Sequence, residues 1–214
     1  MIMYSQSHSD WLQESFVISM LKEKRNGYYI EVGSGLPFKG NNTFILENVF
    51  DWQGVGLDLN QGAVSEYNKN RKNKSICVDA ITFDYKNYLE KNNFPKQIDF
   101  LQIDIDSGTW QKQKYSGNGN LLALVNIPLT DYRFSVITFE HEEITNYKNK
   151  SIKNAQREIL SGFDYILLGS TGLEDWWIDP KAIPKEIYET QYFMDSVPKI
   201  SKTVSNLNIK GDYL

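Results

Sequence analysis

Cysteine is almost absent: Cys77 is the single thiol in 214 residues. One cysteine excludes an intramolecular disulfide framework and a cysteine-built zinc site. Cys77 stands between Ile76 and Val78 in an apolar run, which predicts a buried, inert thiol. Histidine is nearly as scarce, with only His8 and His141. No apolar run reaches the length of about 18 residues that a membrane-crossing helix needs. The opening MIMYSQSHSDW has neither the charged segment nor the apolar stretch of a secretory leader. The expected address is therefore a reducing cytoplasm, with no membrane partner. A basic excess is missing too: 23 Lys and Arg face 27 Asp and Glu, for a net charge of −4. That balance argues against a nucleic-acid partner, which calls for a basic face. The local run Lys69 to Lys74 is interrupted by asparagines and reads as a solvated helix end.

What is present is the makings of a globular α/β domain. Hydrophobic residues are 41% and aromatics 14% of the chain, enough to build a core without staples. Short apolar runs alternate with longer amphipathic stretches, the pattern of a parallel sheet covered by helices on both faces. A helix is expected between Asp10 and Lys24, stopped by Gly27. Strands are expected at Tyr28–Gly33, Gly54–Asp58, Ser75–Asp79, Ile98–Asp104, Phe134–Glu140, Tyr165–Leu168 and Asp175–Ile178. Helices fall between them at Thr43–Phe50, with Asn41 or Asn42 as N-cap, and at Gln61–Arg71, Tyr85–Lys91, Leu121–Val125 and Ser151–Leu160. The expectation is a Rossmann-like, mostly parallel seven-stranded sheet in one domain over 1–214. Within it, 1–26 form a helical extension, 27–180 the core and 181–214 a C-terminal extension. The sequence sets no oligomeric state, and a homodimer is among those it allows.

In an open parallel sheet, ligands bind beyond the carboxyl ends of the strands. Acidic residues or glycines recur at those ends here. The first strand runs into Glu31-Val32-Gly33-Ser34-Gly35, where glycines let a ligand approach the backbone. Phe38 stands where a dinucleotide fingerprint needs its third glycine, so G-x-G-x-x-G fails. Asp58 can accept ribose hydroxyls or cap the helix that starts near Asn60. Asp79 can accept an adenine amino group while the Ala80 backbone meets a ring nitrogen, or it can serve as a turn carboxylate. Asp104 and Asp106 share a face if their strand continues. They could position a substrate, act as a base, or hold Mg²⁺ together with Glu142; the alternative is a solvated strand end. His141 sits where the sheet opens and could take a proton from a hydroxyl, with Glu140 or Glu142 orienting it. In Glu174-Asp175-Trp176-Trp177, one tryptophan packs on the sheet and the other is available to wall a cleft.

Taken in order, these residues resemble the FkbM-type methyltransferases. The leading Ser5-Gln6 and Asp10, the block Tyr29 to Gly35 with Asn42-Thr43 and Leu46-Glu47, and Trp52 to Asp58 carry the resemblance. So do Phe100 to Asp106, Ile137 to Glu142 and Glu174 to Trp177. The likeness spans roughly Tyr4 to Pro180. It departs at Asp58, where the family has Glu, at Asp106-Ser107, where it has Glu-Gly, and at Leu36-Pro37-Phe38-Lys39-Gly40, which replaces a compact glycine turn. The resemblance implies an enzyme that uses S-adenosylmethionine to methylate hydroxyl groups, often on sugars or glycosylated metabolites. It implies cofactor contacts from Glu31, Gly33, Gly35, Asn42, Asp58, Asp79, Ala80 and Asp104, with catalysis by His141, Asp106 or Asp104. The altered loop and Asp106-Ser107 leave open a binding protein on the same fold.

Overall fold

The computed structural model describes residues 13–105, 118–143 and 149–189. Ser5, Gln6, His8, Asp10, Asp106 and Ser107, on which expectations were placed, lie outside them. The described strands are β1 (Tyr28–Val32), β2 (Gln53–Asp58), β3 (Lys74–Cys77), β4 (Gln97–Ile103), β5 (Arg133–Glu140), β6 (Ile166–Ser170) and β7 (Glu174–Ile178). The helices are α1 (Gln13–Met20), α2 (Phe44–Phe50), α3 (Gln61–Asn70), α4 (Tyr85–Lys91), α5 (Gly119–Asn126), α6 (Lys150–Gly162) and α7 (Lys185–Tyr188). All seven expected strands are present within a residue or two of the expected bounds.

The strands form one sheet in the order β3-β2-β1-β4-β5-β7-β6. β1 to β5 pair in parallel, and β7 runs antiparallel to both β5 and β6. A dinucleotide-binding sheet runs 3-2-1-4-5-6. An antiparallel β7 wedged between β5 and β6 is a different closing edge, in keeping with the failure of the dinucleotide fingerprint at Phe38.

Alternation along each strand divides the core between the two faces. On one face, Tyr29, Phe100 and Trp176 pack against Phe16 and Val17 of α1 and Leu46 and Phe50 of α2. On the other, Ile30, Val32 and Trp177 pack with Leu89 of α4, Leu124 of α5 and Leu160 of α6. Both tryptophans are therefore core residues, and neither walls a cleft; Trp176 stacks on Phe16 with ring centroids 5.0 Å apart. They face opposite sides because they are consecutive in one strand that is buried on both faces.

Three local expectations are corrected. Helix α1 ends at Met20, well before Gly27, with Lys22 and Glu23 in the left-handed region. The N-cap of α2 is Thr43, without a side-chain cap. The Ile45 N–H is instead satisfied by the buried Glu14 carboxylate of α1 at 2.7 Å. Cys77 is exposed, because β3 is the sheet edge and only its middle residues, Ser75 and Ile76, are covered. Among the described residues no helix is long and apolar enough to cross a membrane.

Candidate cofactor and acceptor site

Strand order reverses at β1, which lies between β2 and β4. The crevice beyond the carboxyl ends of β1 and β4 is thus the switch point where ligands bind in such sheets. Its two glycines do different things. Gly33 has φ +85°, and a Cβ there would sit 1.8 Å from the Asp104 carbonyl oxygen. Only glycine lets the end of β1 lie against the end of β4. The Gly33 and Ser34 N–H groups both donate to the Leu57 carbonyl, at 2.8 and 3.1 Å, which turns the chain toward β2. Gly35 has φ +54°, and a Cβ there would meet nothing within 4 Å. Gly35 faces open space.

The Gly35 N–H donates to Asp58 Oδ2 at 2.8 Å, and Asp58 Oδ1 accepts the Asn60 N–H at 2.7 Å. The helix-capping alternative for Asp58 passes to Asn60, whose Oδ1 accepts from Gly62 and Ala63 at the start of α3. Each carboxylate oxygen has two lone pairs, so Asp58 keeps acceptor capacity at a half-buried position. Leu59 beside it is an exposed apolar side chain, as are Leu36 and Phe38 in the loop after Gly35. Two residues past β3, Asp79 closes a turn by accepting the Ile81 N–H at 3.1 Å. Ala80 beside it is buried, with its carbonyl held by Asn126. The buried Tyr85 hydroxyl is raised well above its ordinary range, first by burial and then by the Asp79 charge.

Glu31 is buried beneath the turn. It accepts the Asn42 N–H at 3.1 Å, the Thr43 hydroxyl at 2.9 Å and the Asn41 amide at 3.2 Å. Burial pushes its carboxyl up to about 7, against the Arg71 guanidinium and these bonds, which pull it down. Its geometry is that of a residue that shapes the loop. Asn42 is buried in the same loop, and its side-chain Oδ1 has no hydrogen-bond partner.

Across the switch point, Asp104 and Glu140 end neighbouring strands and share a hydrogen bond. Burial, then the Asp104 charge and that bond, with Glu142 and Glu174 adding, push the Glu140 carboxyl well above the usual carboxylate range. The desolvated Glu140 carboxyl thus favours its protonated form beside Asp104. Gln102 Nε2 lies 3.4 Å from Asp104 Oδ2, and the Thr138 hydroxyl donates to Gln102. Glu174 accepts from Gln13 and from Trp176 Nε1, and its carboxyl rises to about 7 through burial and the Asp104 charge. Asn120 of α5, which sequence reasoning missed, ties the two strand ends together. It accepts the Ile105 N–H at 2.7 Å and donates to the Glu140 carbonyl at 3.0 Å. Nothing in a polar residue at a helix start announces such a clamp.

His141 is buried, with Nδ1 accepting the Glu143 N–H at 3.2 Å and Nε2 lying 3.5 Å from Asp175 Oδ1. Asp175 is gripped by Arg157 at 2.6 and 2.7 Å and by Gln156. Burial works to raise the Asp175 carboxyl, but the Arg157 and His141 bonds outweigh it and hold it well below the usual range. His141 is built into this buried cluster. Glu142 is half-buried with φ +51°. Among the described residues no three ligating side chains are placed to hold a metal. Asp106, one of the expected metal ligands, lies outside the described residues.

No family model matches the chain, and no curated protein matches it in sequence. Solved structures do match. A Clostridium thermocellum protein, provisionally named an rRNA-methylase, superposes with a TM-score of 0.51 at 12% identity, over 77% of this chain and 94% of its own. The human methyltransferase-like protein 13, in complex with SAH, superposes with a TM-score of 0.51 at 13% identity, over 93% of this chain and 95% of its own. The fold is that of the methyltransferases. In this methyltransferase fold the open Gly35, the spare acceptor capacity of Asp58 and the unpartnered Asn42 Oδ1 suit a nucleoside-bearing cofactor: a close backbone approach, an acceptor for vicinal hydroxyls, and an amide able to bind more.

Proposed function

We propose that this protein is an S-adenosylmethionine-dependent methyltransferase that methylates a hydroxyl group on a sugar or glycosylated metabolite. The observation that carries the reading is the unit formed by Gly35 and Asp58, joined at 2.8 Å and facing open space at the switch point. The FkbM-like motifs and the methyltransferase fold support it. The reading places the protein in the cytoplasm.

S-adenosylmethionine supplies an electrophilic methyl group on a sulfonium. The chain's own work is to hold donor and acceptor in attack geometry. Gly33 to Asn42 shape the floor, Asp58 accepts ribose hydroxyls, and Asp79 with Ala80 receives the adenine edge. Asp104 at the end of β4 accepts the hydroxyl proton, oriented by the protonated Glu140 beside it. His141 is displaced from the base role by its burial between Glu143 and Asp175. Asn120 keeps the ends of β4 and β5 in register while the acceptor binds.

Titration calorimetry with S-adenosylmethionine and S-adenosylhomocysteine tests the first half. Saturable heat is expected, and its absence at millimolar ligand overturns the reading. Incubation with sugar and glycoside acceptors, followed by mass spectrometry, tests the second. Gain of one methyl group is expected on a hydroxyl. Methylation of RNA alone would move the acceptor class to nucleic acid, which the name of the C. thermocellum neighbour makes a necessary arm of the test. Cofactor binding without any transfer would favour a binding protein.

A further inference from the structure

The loop from Ser34 to Thr43 carries Gly35 and Asn42, yet it contains neither helix nor strand. Nothing in regular secondary structure sets its path. A buried cation does so, together with the Glu31 and Asp58 carboxylates. Arg71 follows the last residue of α3, and its side chain has 0% exposure. Its guanidinium donates to the Pro37 carbonyl at 2.9 Å, Asn41 Oδ1 at 2.8 Å, the Thr43 hydroxyl at 3.1 Å and Glu47 Oε2 at 3.1 Å. It stacks over the Tyr67 ring at 4.6 Å and the Phe44 ring at 5.4 Å. Two of its partners pass the constraint on. Asn41 donates to the Ser34 carbonyl and to Glu31, and the Thr43 hydroxyl donates to Glu31. Both ends of the loop are thereby tied to a single side chain.

We propose that Arg71 is the positioning residue of the cofactor loop, setting cofactor affinity by fixing the path of Ser34 to Thr43 without touching the ligand. The inference rests on the methyltransferase reading. Burying a guanidinium carries a desolvation cost that an apolar side chain would not incur, and buried ion networks are often replaceable by hydrophobic packing without loss of stability. What apolar packing lacks is direction. A planar fork with fixed donor angles selects one arrangement of a carbonyl, an amide, a hydroxyl and a carboxylate, and a lysine ammonium does not reproduce it. Preorganising a loop in its bound form raises affinity by removing the ordering cost at the moment of binding.

The test uses the whole chain and three variants: Arg71→Lys, Arg71→Met and Thr43→Val. Thr43→Val cuts the Arg71–Thr43–Glu31 link while leaving the buried guanidinium in place, so it serves if the Arg71 variants fail to fold. The readouts are S-adenosylhomocysteine affinity by calorimetry, well below each variant's melting temperature, and hydrogen exchange at the Gly35, Asn42 and Thr43 amides without ligand. Affinity is expected to fall about tenfold or more. Those three amides should exchange faster than global stability accounts for. If transfer is observed, KM for S-adenosylmethionine should rise while kcat at saturation holds. Wild-type binding with unchanged affinity and unchanged loop exchange in the folded variants overturns the inference alone. Failure of the wild type to bind overturns the methyltransferase reading, and this inference with it.

Discussion

The Asp58 carboxylate accepts the Gly35 N–H at 2.8 Å, so the acid that ends β2 and the turn that follows β1 form one unit. Asp58→Ala should therefore cost twice, by losing an acceptor for ribose and by freeing the Gly35 peptide. S-adenosylhomocysteine affinity should drop about 10-fold to 100-fold, equivalent to one or two charged hydrogen bonds. Calorimetry measures this directly. An unaltered dissociation constant would remove Asp58 from the site.

The two glycines of the turn should separate in a denaturation experiment. Gly33→Ala places a methyl 1.8 Å from a backbone oxygen that cannot swing aside. A loss of about 3 kcal/mol or more, or failure to fold, is expected. Gly35→Ala meets open space and bears only the left-handed backbone cost, about 1–2 kcal/mol. Its larger effect should be on cofactor binding, because the methyl would occupy the approach. Urea unfolding curves of the two variants, read beside their ligand affinities, decide the point.

Glu174 provides a pH signature. Its folded-state carboxyl sits at about 7, above the ordinary 4.5. A raised carboxyl means that between those values the folded chain binds more protons than the unfolded chain, so this group's contribution to stability falls as pH rises from about 4.5 to 7. Glu174→Gln should flatten that fall and leave the protein more stable at pH 8 by up to about 3 kcal/mol. The amide can still accept from Trp176. Asp175, held low beside Arg157, acts in the opposite sense: its contribution is present above the ordinary carboxylate range and is lost as pH falls below it. Thermal melts from pH 4 to pH 8 show the Glu174 effect, and extending them down to pH 2 shows that of Asp175. A pH-independent difference between wild type and Glu174→Gln would contradict the burial argument.

His141 and Asp104 should behave differently in the methyl-transfer assay. His141→Asn should cost about 1–3 kcal/mol of stability, because the Glu143 N–H and Asp175 lose a buried partner. It should leave the pH dependence of kcat where it was. Asp104→Asn should lower kcat about 100-fold, the scale of a lost general base. A folded His141→Asn protein with a displaced pH profile would return the base role to the histidine.

Much of the fold was legible because strands buried on both faces are written as apolar runs, and each of the first five meets an acid or a glycine within two residues of its end. The positions of Asp58, Asp79 and Asp104 followed from that, and Glu31 from its place two residues before Gly33. Burial was harder to read. Arg71 stands among Lys69, Lys72 and Lys74 and passes for part of a solvated helix end, yet it is buried, because the loop before α2 folds over it. Cys77 failed in the other direction, since apolar neighbours on an edge strand do not guarantee cover. His141 lies at the expected strand end, but its ring is held between Glu143 and Asp175 instead of opening to the crevice.

The sequence by itself determined the sheet, its strands and the acids and glycines at their carboxyl ends, because hydrophobic periodicity and turn chemistry are local properties. Only the tertiary structure decided how those ends are used. It placed Asp104 against the buried Glu140 carboxyl, set β7 antiparallel between β5 and β6, and brought Arg71 under the loop from Ser34 to Thr43. Those outcomes depend on which groups meet across a desolvated space. Charge sharing and burial are properties of the contact, and the contact does not exist until the chain has closed.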